Sequence, residues 1–361
     1  MQFEQRVRAV AEFDFTERQA RFLVTVMLHS GVCLLRQYAT FAGIVEGQKT
    51  RKFFAKLVRL RYASAYPCRH NRGRVYQIHH KALYRAIGET DSRHRRPLSP
   101  ARVVQGLMLL DAVLANPELI WLATDEDKAV HLTTLTPINP DQLTAAGIGT
   151  AVTKGHPVFA EKFPIGIDLN GRAVLVYLAT DREVGRFRAF LQRHFELLQN
   201  LAAWTVRIVV PPWPNGLGEL YLKVAREDLA VNLTPDVMKG LRWYFAERRG
   251  LADRGSETPD REAFDQHAEA FNTPRYQLLY RRWLTDGDRV FDLVSGGLNE
   301  ALARGAGRIE LTVLPHRYRH LVPLVNSTIR KPKGAEKGEQ AWTAPRPLHQ
   351  ISNVDPPRTS A

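Results

Sequence analysis

The sequence is poor in cysteine and has no long apolar segment. Two cysteines, Cys33 and Cys68, occur in 361 residues, too few to crosslink a chain of this length, which fits a reducing compartment. No apolar run approaches the ~20 residues that a membrane-spanning helix needs. Residues 1–10 are charged where a signal peptide has an apolar core. We therefore expect a cytoplasmic protein that makes no membrane contact.

Several motifs for binding nucleotides and metals are also missing. The chain has no Gly-Lys-Ser or Gly-Lys-Thr of a phosphate-binding loop and no Gly-x-Gly-x-x-Gly. Cys68, His70 and the pair His79-His80 leave a zinc site as an alternative, but no second cysteine pair accompanies them. Structural roles are therefore favoured for these residues, and we expect neither a metal nor a cofactor.

The basic residues are concentrated near the N-terminus. Residues 1–104 hold 20 Lys/Arg against 7 Asp/Glu, whereas residues 105–329 hold 25 against 27. Nearly all of the net charge of +14 therefore lies in the first third of the chain. A surface that neutralises nucleic-acid phosphates requires such an excess. A solvated basic surface without a ligand is the alternative.

The first hundred residues contain helix signals followed by a hairpin signal. Thr16 is an N-cap residue with Gln19 three positions later, as in a capping box. Apolar residues then recur at helical spacing as far as Gly31. The predicted elements are helices at 16–31, 32–41, 48–60 and 80–87 and strands at 62–66 and 74–78.

The third predicted helix has an apolar side and a basic side. Its apolar residues fall at positions 53, 54 and 57, while four cations follow each other at spacings of 3, 4 and 3 on another face. Such a helix suits a major groove, and the residues of its first turn are expected to reach base edges or phosphates first. The hairpin carries further basic residues at its tip. The candidate DNA-binding residues are Lys49, Thr50, Arg51, Lys52, Lys56, Arg59, Arg69, His70, Asn71, Arg72 and Arg74.

Three helices followed by a basic hairpin resemble a winged-helix DNA-binding domain. The leading sequence Phe15-Thr16-Glu17-Arg18-Gln19 and this element order are similar to the N-terminal domain of bacterial replication-relaxation-type proteins. These proteins are found on plasmids and integrated mobile elements. The resemblance covers residues 12–90. It implies double-stranded DNA as the partner and a location at the nucleoid or on a plasmid.

From residue 101 the order of elements resembles a restriction-endonuclease-like core, the PD-(D/E)xK fold. The predicted elements are a helix at 102–114, strands at 119–122, 165–169 and 173–178, a helix at 182–198 and a strand at 206–210. The second and third strands flank Asn170-Gly171, a strong hairpin signal. Replication-relaxation-type proteins carry a domain of this kind after the winged helix. An unrelated α/β domain is the alternative.

The acidic residues of that core are missing from the matching positions. Ile165 stands where the resemblance places an aspartate, Tyr177 where it places a glutamate, and Ala179 where it places a lysine. Hydrolysis of a phosphodiester with Mg²⁺ needs clustered carboxylates. Asp168 and Asp181 are near in sequence, but Asp168 is expected on the opposite strand face. We therefore expect a degenerate core that serves as a scaffold or dimerisation platform, with a metal-dependent nuclease as the alternative.

Together these features predict an α+β protein with an N-terminal winged helix-turn-helix and a larger α/β domain. The expected segments are a DNA-binding domain at 1–96, a degenerate nuclease-like domain at 101–215, a mostly helical extension at 216–330 and a disordered tail at 331–361. The expected function is that of a non-enzymatic DNA-binding protein of a bacterial mobile element. It would act as a transcription regulator or as an accessory factor in replication, transfer or recombination. Candidate partners besides DNA are a second copy of the chain and a protein bound through the second domain.

Overall fold

The computed structural model describes residues 1–68, 73–135, 149–153, 156–159, 163–254, 260–293, 297–318 and 321. These residues include a three-stranded antiparallel sheet near the N-terminus and a five-stranded mixed sheet further along the chain. The protein is therefore of the α+β class, as predicted. The predicted disordered tail at 331–361 and the predicted hairpin tip at 69–72 lie outside the described residues. None of the described helices is long and apolar enough to cross a membrane.

The first region combines five helices with the small sheet. Its elements are α1 (Phe3–Ala11), α2 (Glu17–His29), β1 (Val32–Cys33), α3 (Leu35–Ala42), α4 (Gln48–Arg59), β2 (Ala63–Pro67), β3 (Arg74–Ile78) and α5 (Lys81–Ala86). The predicted capping box is confirmed, because the Thr16 hydroxyl accepts the Gln19 amide and the Gln19 side chain accepts the Thr16 amide. Gly43 ends α3 with a φ of 63°, a left-handed conformation that glycine adopts without strain.

Two parts of this region differ from the sequence prediction. The helix predicted for 32–41 begins only at Leu35, because Val32 and Cys33 pair with Gln77 and Tyr76 of β3 as the edge strand β1. A β-branched residue directly after a chain reversal favours a strand over a helix. The helix α1 was not predicted. It buries Val7 and Val10 and is joined to α2 by the ion pair Arg21–Glu4.

The second region is built on the five-stranded sheet. Its first elements are α6 (Pro100–Leu114), β4 (Ile120–Leu122), α7 (Asp125–Leu135), β5 (Gly149–Thr153), β6 (His156–Phe159), β7 (Ile165–Ile167), β8 (Ala173–Leu178), α8 (Gly185–Asn200) and β9 (Trp204–Val210). The strand order is β10-β9-β8-β7-β4, where β10 spans Gly307–Val313. The strands β8, β9 and β10 are parallel, and β7 is antiparallel to both β8 and β4. The predicted order α-β-β-β-α-β is confirmed, with α7 and the β5–β6 pair inserted after the first strand.

The two faces of this sheet are covered by different helices. Leu175, Val206 and Ile208 point to one face and share a core with α8 and with α9 (Leu217–Leu229). Val174 and Val209 point to the other face and pack with α6. Alternate residues of each strand therefore reach opposite cores, as expected of a sheet buried on both sides.

Four of the remaining helices form a cluster with a core of their own. They are α10 (Pro235–Arg254), α11 (Arg261–Ala270), α12 (Pro274–Asp286) and α13 (Arg289–Leu293). Leu241, Phe245, Leu279 and Phe291 form the centre of this cluster. The helix α14 (Gly297–Ala303) packs through Leu298 into the core of the large sheet. Most of the described residues between 216 and 321 are helical, and the strand β10 among them completes the large sheet. Residues on both sides of the predicted boundary at 215 therefore contribute to one core.

The helix α6 connects the two regions. One apolar cluster contains Val32 and Val75 of the small sheet together with Leu107 and Met108 of α6. The described residues up to Leu321 accordingly belong to one compact unit. The two segments predicted at 1–96 and 101–215 thus share a hydrophobic core.

Candidate nucleic-acid interface

The helix α4 is held in place by aromatic residues on its inner face. Phe53 lies 4.6 Å from Tyr38 of α3, and Phe54 lies 4.5 Å from Tyr76 of β3, measured between ring centroids. Both phenylalanines and Leu57 are buried. Because one helix face packs against both α3 and the small sheet, the orientation of the outer face is determined.

The outer face of α4 is basic and has a small residue at its centre. Gln48, Arg51, Lys52, Ala55 and Arg59 are exposed there. At 100° per residue, Arg51 and Lys52 lie to either side of Ala55, and Arg59 lies one turn further along. Within the described part of the chain, no hydrogen bond or ion pair engages the side chains of these three cations. A shallow surface with unpaired cations around it admits close approach of an anionic partner.

A groove of about 1030 Å³ lies beside this face, between α4 and the beginning of α2. Lys49 and Lys52 line it on the α4 side, and Arg18 lines it on the α2 side. Arg18 donates a hydrogen bond to the Ala42 carbonyl at 3.3 Å. The groove therefore extends the basic surface from α4 to α2.

The charge of Lys56 is engaged within the groove. Its ammonium donates to the Asp14 carboxylate at 2.6 Å and also contacts the backbone carbonyl of Asp14. It lies 5.1 Å from the ring centroid of Phe15. The hydrogen bond and the charge of Lys56 lower the pKa of the Asp14 carboxyl. Lys56 therefore fastens the end of the α1–α2 connection to α4 rather than facing outward.

The strands β2 and β3 form the second part of the candidate interface. The Cys68 amide donates to the Gly73 carbonyl at 2.8 Å, which closes the described part of the hairpin. Arg74 is exposed at the beginning of β3. The predicted contacts Arg69, His70, Asn71 and Arg72 lie outside the described residues.

Of the residues predicted for DNA contact, Thr50 is placed elsewhere. Its side chain is 0% exposed, and its hydroxyl oxygen has no hydrogen-bond partner among the described residues. Its spacing of three and seven residues from Phe53 and Leu57 puts it on the inner face of α4. This spacing is visible in the sequence and already indicates that Thr50 faces inward. Thr50 is therefore not a contact residue. Lys49, Arg51, Lys52, Arg59 and Arg74 are exposed as expected.

The positions compared with nuclease carboxylates are part of the sheet core. Ile165 is fully buried. Tyr177 packs 4.7 Å from Phe187 and 5.2 Å from Phe190, and burial raises its pKa to about 12. Asp168 closes the β7–β8 turn by accepting the amides of residues 170 and 172. No group of three or more His, Cys, Asp or Glu side chains that could hold a metal occurs within the described ranges.

Three residues of the zinc alternative lie among the described residues and contact other parts of the protein. The Cys68 thiol donates to the Leu321 carbonyl at 3.7 Å. His79 lies at hydrogen-bond distance, 2.9 Å, from the Ser64 hydroxyl. The ring of His80 lies 5.1 Å from the ring of Tyr62, measured between centroids. His70, the fourth residue of this alternative, lies outside the described residues.

Comparison of the chain with models of protein families, with curated proteins and with solved structures gives no match.

Proposed function

We propose that this chain binds double-stranded DNA and reads its sequence with α4. The observation that carries the proposal is the outer face of α4, on which Arg51, Lys52 and Arg59 are exposed and unpaired among the described residues. A helix of about 10–12 Å diameter fits the major groove, which is about 12 Å wide. Ala55 at the centre of the face lets the helix backbone approach the base edges.

The arrangement of the first region supports a winged-helix fold. The helices α2, α3 and α4 precede the antiparallel pair β2–β3, and the short β1 adds to the edge of β3. In this arrangement α4 enters the major groove, while β2 and β3 lie over the neighbouring backbone. Arg74 is then placed to contact phosphate or the minor groove.

The strand order of the second region supports a restriction-endonuclease-like topology that lacks the catalytic carboxylates at the matching positions. The antiparallel order β4-β7-β8, followed by α8 and the parallel strand β9, is consistent with such a core. The alternative of a metal-dependent nuclease draws no support from the described residues, since Ile165 and Tyr177 occupy the carboxylate positions. In this proposal the second region is a platform that binds a second copy of the chain or another protein.

The proposal includes the resemblance to replication-relaxation-type proteins of bacterial mobile elements. The chain acts as a transcription regulator or as an accessory factor in replication, transfer or recombination, in the cytoplasm on plasmid or nucleoid DNA. The net charge of +13 over residues 1–104, against −2 over residues 105–329, supports placing the DNA contact in the first region.

The test is binding of the full chain to labelled duplexes, first from a randomised library and then at increasing salt. About six to ten phosphate contacts lower affinity by about 10³–10⁵ between 50 and 200 mM salt. We expect a steep decrease of this kind. An affinity that stays constant over this range contradicts the proposal.

A matched pair of double variants locates the contact. Lys52→Gln with Arg59→Gln removes two cations from the outer face of α4. Lys223→Gln with Arg226→Gln removes two exposed cations from α9. We expect the first pair to lower the salt slope by about two, since each phosphate contact contributes about one. The second pair should leave binding unchanged. Equal behaviour of the two pairs places the DNA elsewhere.

A further inference from the structure

A pocket of about 310 Å³ lies at the carboxyl ends of the three parallel strands. Thr180 follows β8, Pro211 and Trp213 follow β9, and Arg317 and Tyr318 follow β10. Val104 and Met108 of α6 close the opposite wall. Open α/β sheets bind ligands at the carboxyl ends of their strands, where the connections diverge. The pocket is outside the face proposed for DNA and belongs to none of the motifs compared with nucleases.

The walls of the pocket suit a flat apolar group. Trp213 and Tyr318 contribute aromatic rings, and Val104, Met108 and Pro211 contribute aliphatic surface. The Trp213 side chain is large and apolar, yet 45% of this residue is exposed. Binding pockets combine apolar walls of this kind with a few polar groups that fix the orientation of the ligand.

The polar groups of the pocket differ in their availability. The Tyr318 hydroxyl donates to the Asp111 carboxylate at 2.5 Å, and the Thr180 hydroxyl donates to Asp181 at 3.3 Å. Asp181 in turn accepts the amide of Glu183 at 2.8 Å. Both hydroxyl hydrogens are therefore engaged within the protein.

Arg317 differs from these groups. It is the one charged side chain among the described residues that line the pocket, and it is exposed. No ion pair or hydrogen bond of its guanidinium occurs in the part of the chain that the structure describes. A guanidinium presents two parallel N–H groups that match the two oxygens of a carboxylate. The pocket is therefore complementary to a ligand that carries an anionic group next to a flat apolar ring.

We propose that this pocket binds a small aromatic carboxylate. The ring of the ligand lies against Trp213 and the aliphatic wall, and its carboxylate pairs with Arg317. A volume of about 310 Å³ is at the lower end of the roughly 300–1,000 Å³ of ligand pockets, which restricts the ligand to one or two fused rings. This site is independent of the DNA contact, since it uses none of the residues of α4 or the β2–β3 pair.

The experiment titrates the full chain with two probes of the same shape, naphthalene-2-carboxylate and naphthalene-2-carboxamide, by calorimetry. We expect saturable one-to-one binding of the carboxylate, at least ten-fold tighter than that of the neutral amide. Arg317→Met should lower the affinity of the carboxylate to that of the amide and leave the amide unchanged. Arg304→Met, which removes an exposed arginine after α14, is the matched control and should change neither.

Filling the pocket gives a second, independent readout. Val104→Trp and Thr180→Trp place an indole in the cavity from opposite walls, and each should abolish binding of both probes. Circular dichroism and the melting temperature identify which of the two variants keeps the fold. Absence of saturable binding up to millimolar probe overturns the proposal. So does equal affinity for the two probes, or binding that persists in a folded filled variant.

Discussion

The exposed cations of α4 and the paired arginines of the second region are used in opposite ways. On α4, Arg51, Lys52 and Arg59 are in solvent without an ion pair among the described residues. Around the sheet, Arg188 contacts Asp228 and, at 2.5 Å, Glu227, and Arg207 contacts Glu310 at 2.9 Å. The same residue type is therefore available to a partner on the outer face of α4 and joins structural elements where it is paired beside the large sheet.

The number of cations in a region therefore differs from the number that a partner can reach. A cation that left a buried ion pair would leave an uncompensated buried carboxylate, which costs about 3–5 kcal/mol, so it is not available to an outside phosphate. An exposed cation can neutralise a DNA phosphate, and this releases counterions condensed on the DNA. Lys56 shows that this distinction also applies within the first region, since Asp14 already engages it. Four predictions on side chains of the two regions follow, in order of decreasing expected change in free energy.

Breaking the buried pair in the sheet region should have the largest effect. Arg188 is buried, and its replacement by Met leaves Asp228 without its main partner. We expect Arg188→Met to lower the free energy of unfolding by about 3–5 kcal/mol, measured by urea denaturation. Arg186→Met is the control, because the Arg186 side chain is 77% exposed and 3.9 Å from its partner; its effect should stay within about 0.5 kcal/mol. Adding Asp228→Asn to Arg188→Met should restore part of the loss, and a double variant as unstable as the single one contradicts this account.

The pH dependence of stability tests the burial of His194 on α8. This histidine is 1% exposed, its Nδ1 lies 2.7 Å from the Phe190 carbonyl, and burial lowers its pKa to about 4. Because the unfolded chain binds a proton near pH 6.5, stability is complete above that pH and is lost as the pH falls toward 4. The loss from this residue is about 3 kcal/mol.

Replacing His194 removes this contribution. Urea unfolding of the wild type and of His194→Leu at pH 7.5, 5.5 and 4.5 should show a smaller decrease in stability for the variant. Parallel pH profiles for the two proteins would mean that His194 is not a buried neutral group.

The third prediction concerns specificity in the first region. If α4 reads base edges, Arg51→Ala should weaken binding to the preferred duplex by about 1–3 kcal/mol and binding to random duplex very little. Arg59→Ala, further from the first turn, should weaken both by similar amounts. Competition titrations with the two duplexes measure the difference, and Arg226→Ala on α9 is the control. Equal losses on preferred and random DNA for Arg51→Ala would exclude this arginine as a reader.

The smallest effect is expected at the contact between the regions. Asp111 of α6 accepts hydrogen bonds from Arg36 at 2.7 and 2.9 Å, from Gln37 at 2.9 Å and from Tyr318 at 2.5 Å. Tyr318→Phe removes one of these bonds while the others remain, so we expect a loss of about 1 kcal/mol of stability. The melting temperature measures it, with Tyr276→Phe as control. A loss no larger than that of the control would show that the tyrosine contributes packing alone.

Much of the local structure was predictable from the sequence. The capping box at Thr16, the span of α4 and the turn at Asn170-Gly171 were all identified, because each depends on neighbouring residues and on a helical or alternating period. The edge strand β1 was mistaken for the start of a helix, since two residues are too few for a period. Their partner in β3 lies more than forty positions away.

The candidate site was predictable only in part. The sequence identified the basic side of α4 from spacing alone, and Arg51, Lys52 and Arg59 are exposed there. It also grouped Lys56 with them. Nothing in the spacing shows that Asp14 reaches this ammonium, because the two residues meet through the tertiary fold.

The order of the amino acids alone predicts the helices α2 and α4, the strands β2 and β3, the uneven charge and the absence of carboxylates at two strand positions. Each of these is a property of composition or of contacts within a few residues. Packing between distant residues determines which cations of α4 have no ion pair among the described residues, that Thr50 is buried, and that α6 joins the small sheet to the large one. It also determines that Trp213, Arg317 and Tyr318 meet in one pocket. These outcomes depend on which distant residues pack together. Patterns of neighbouring residues do not show such contacts, because they result from the free energy of the whole fold.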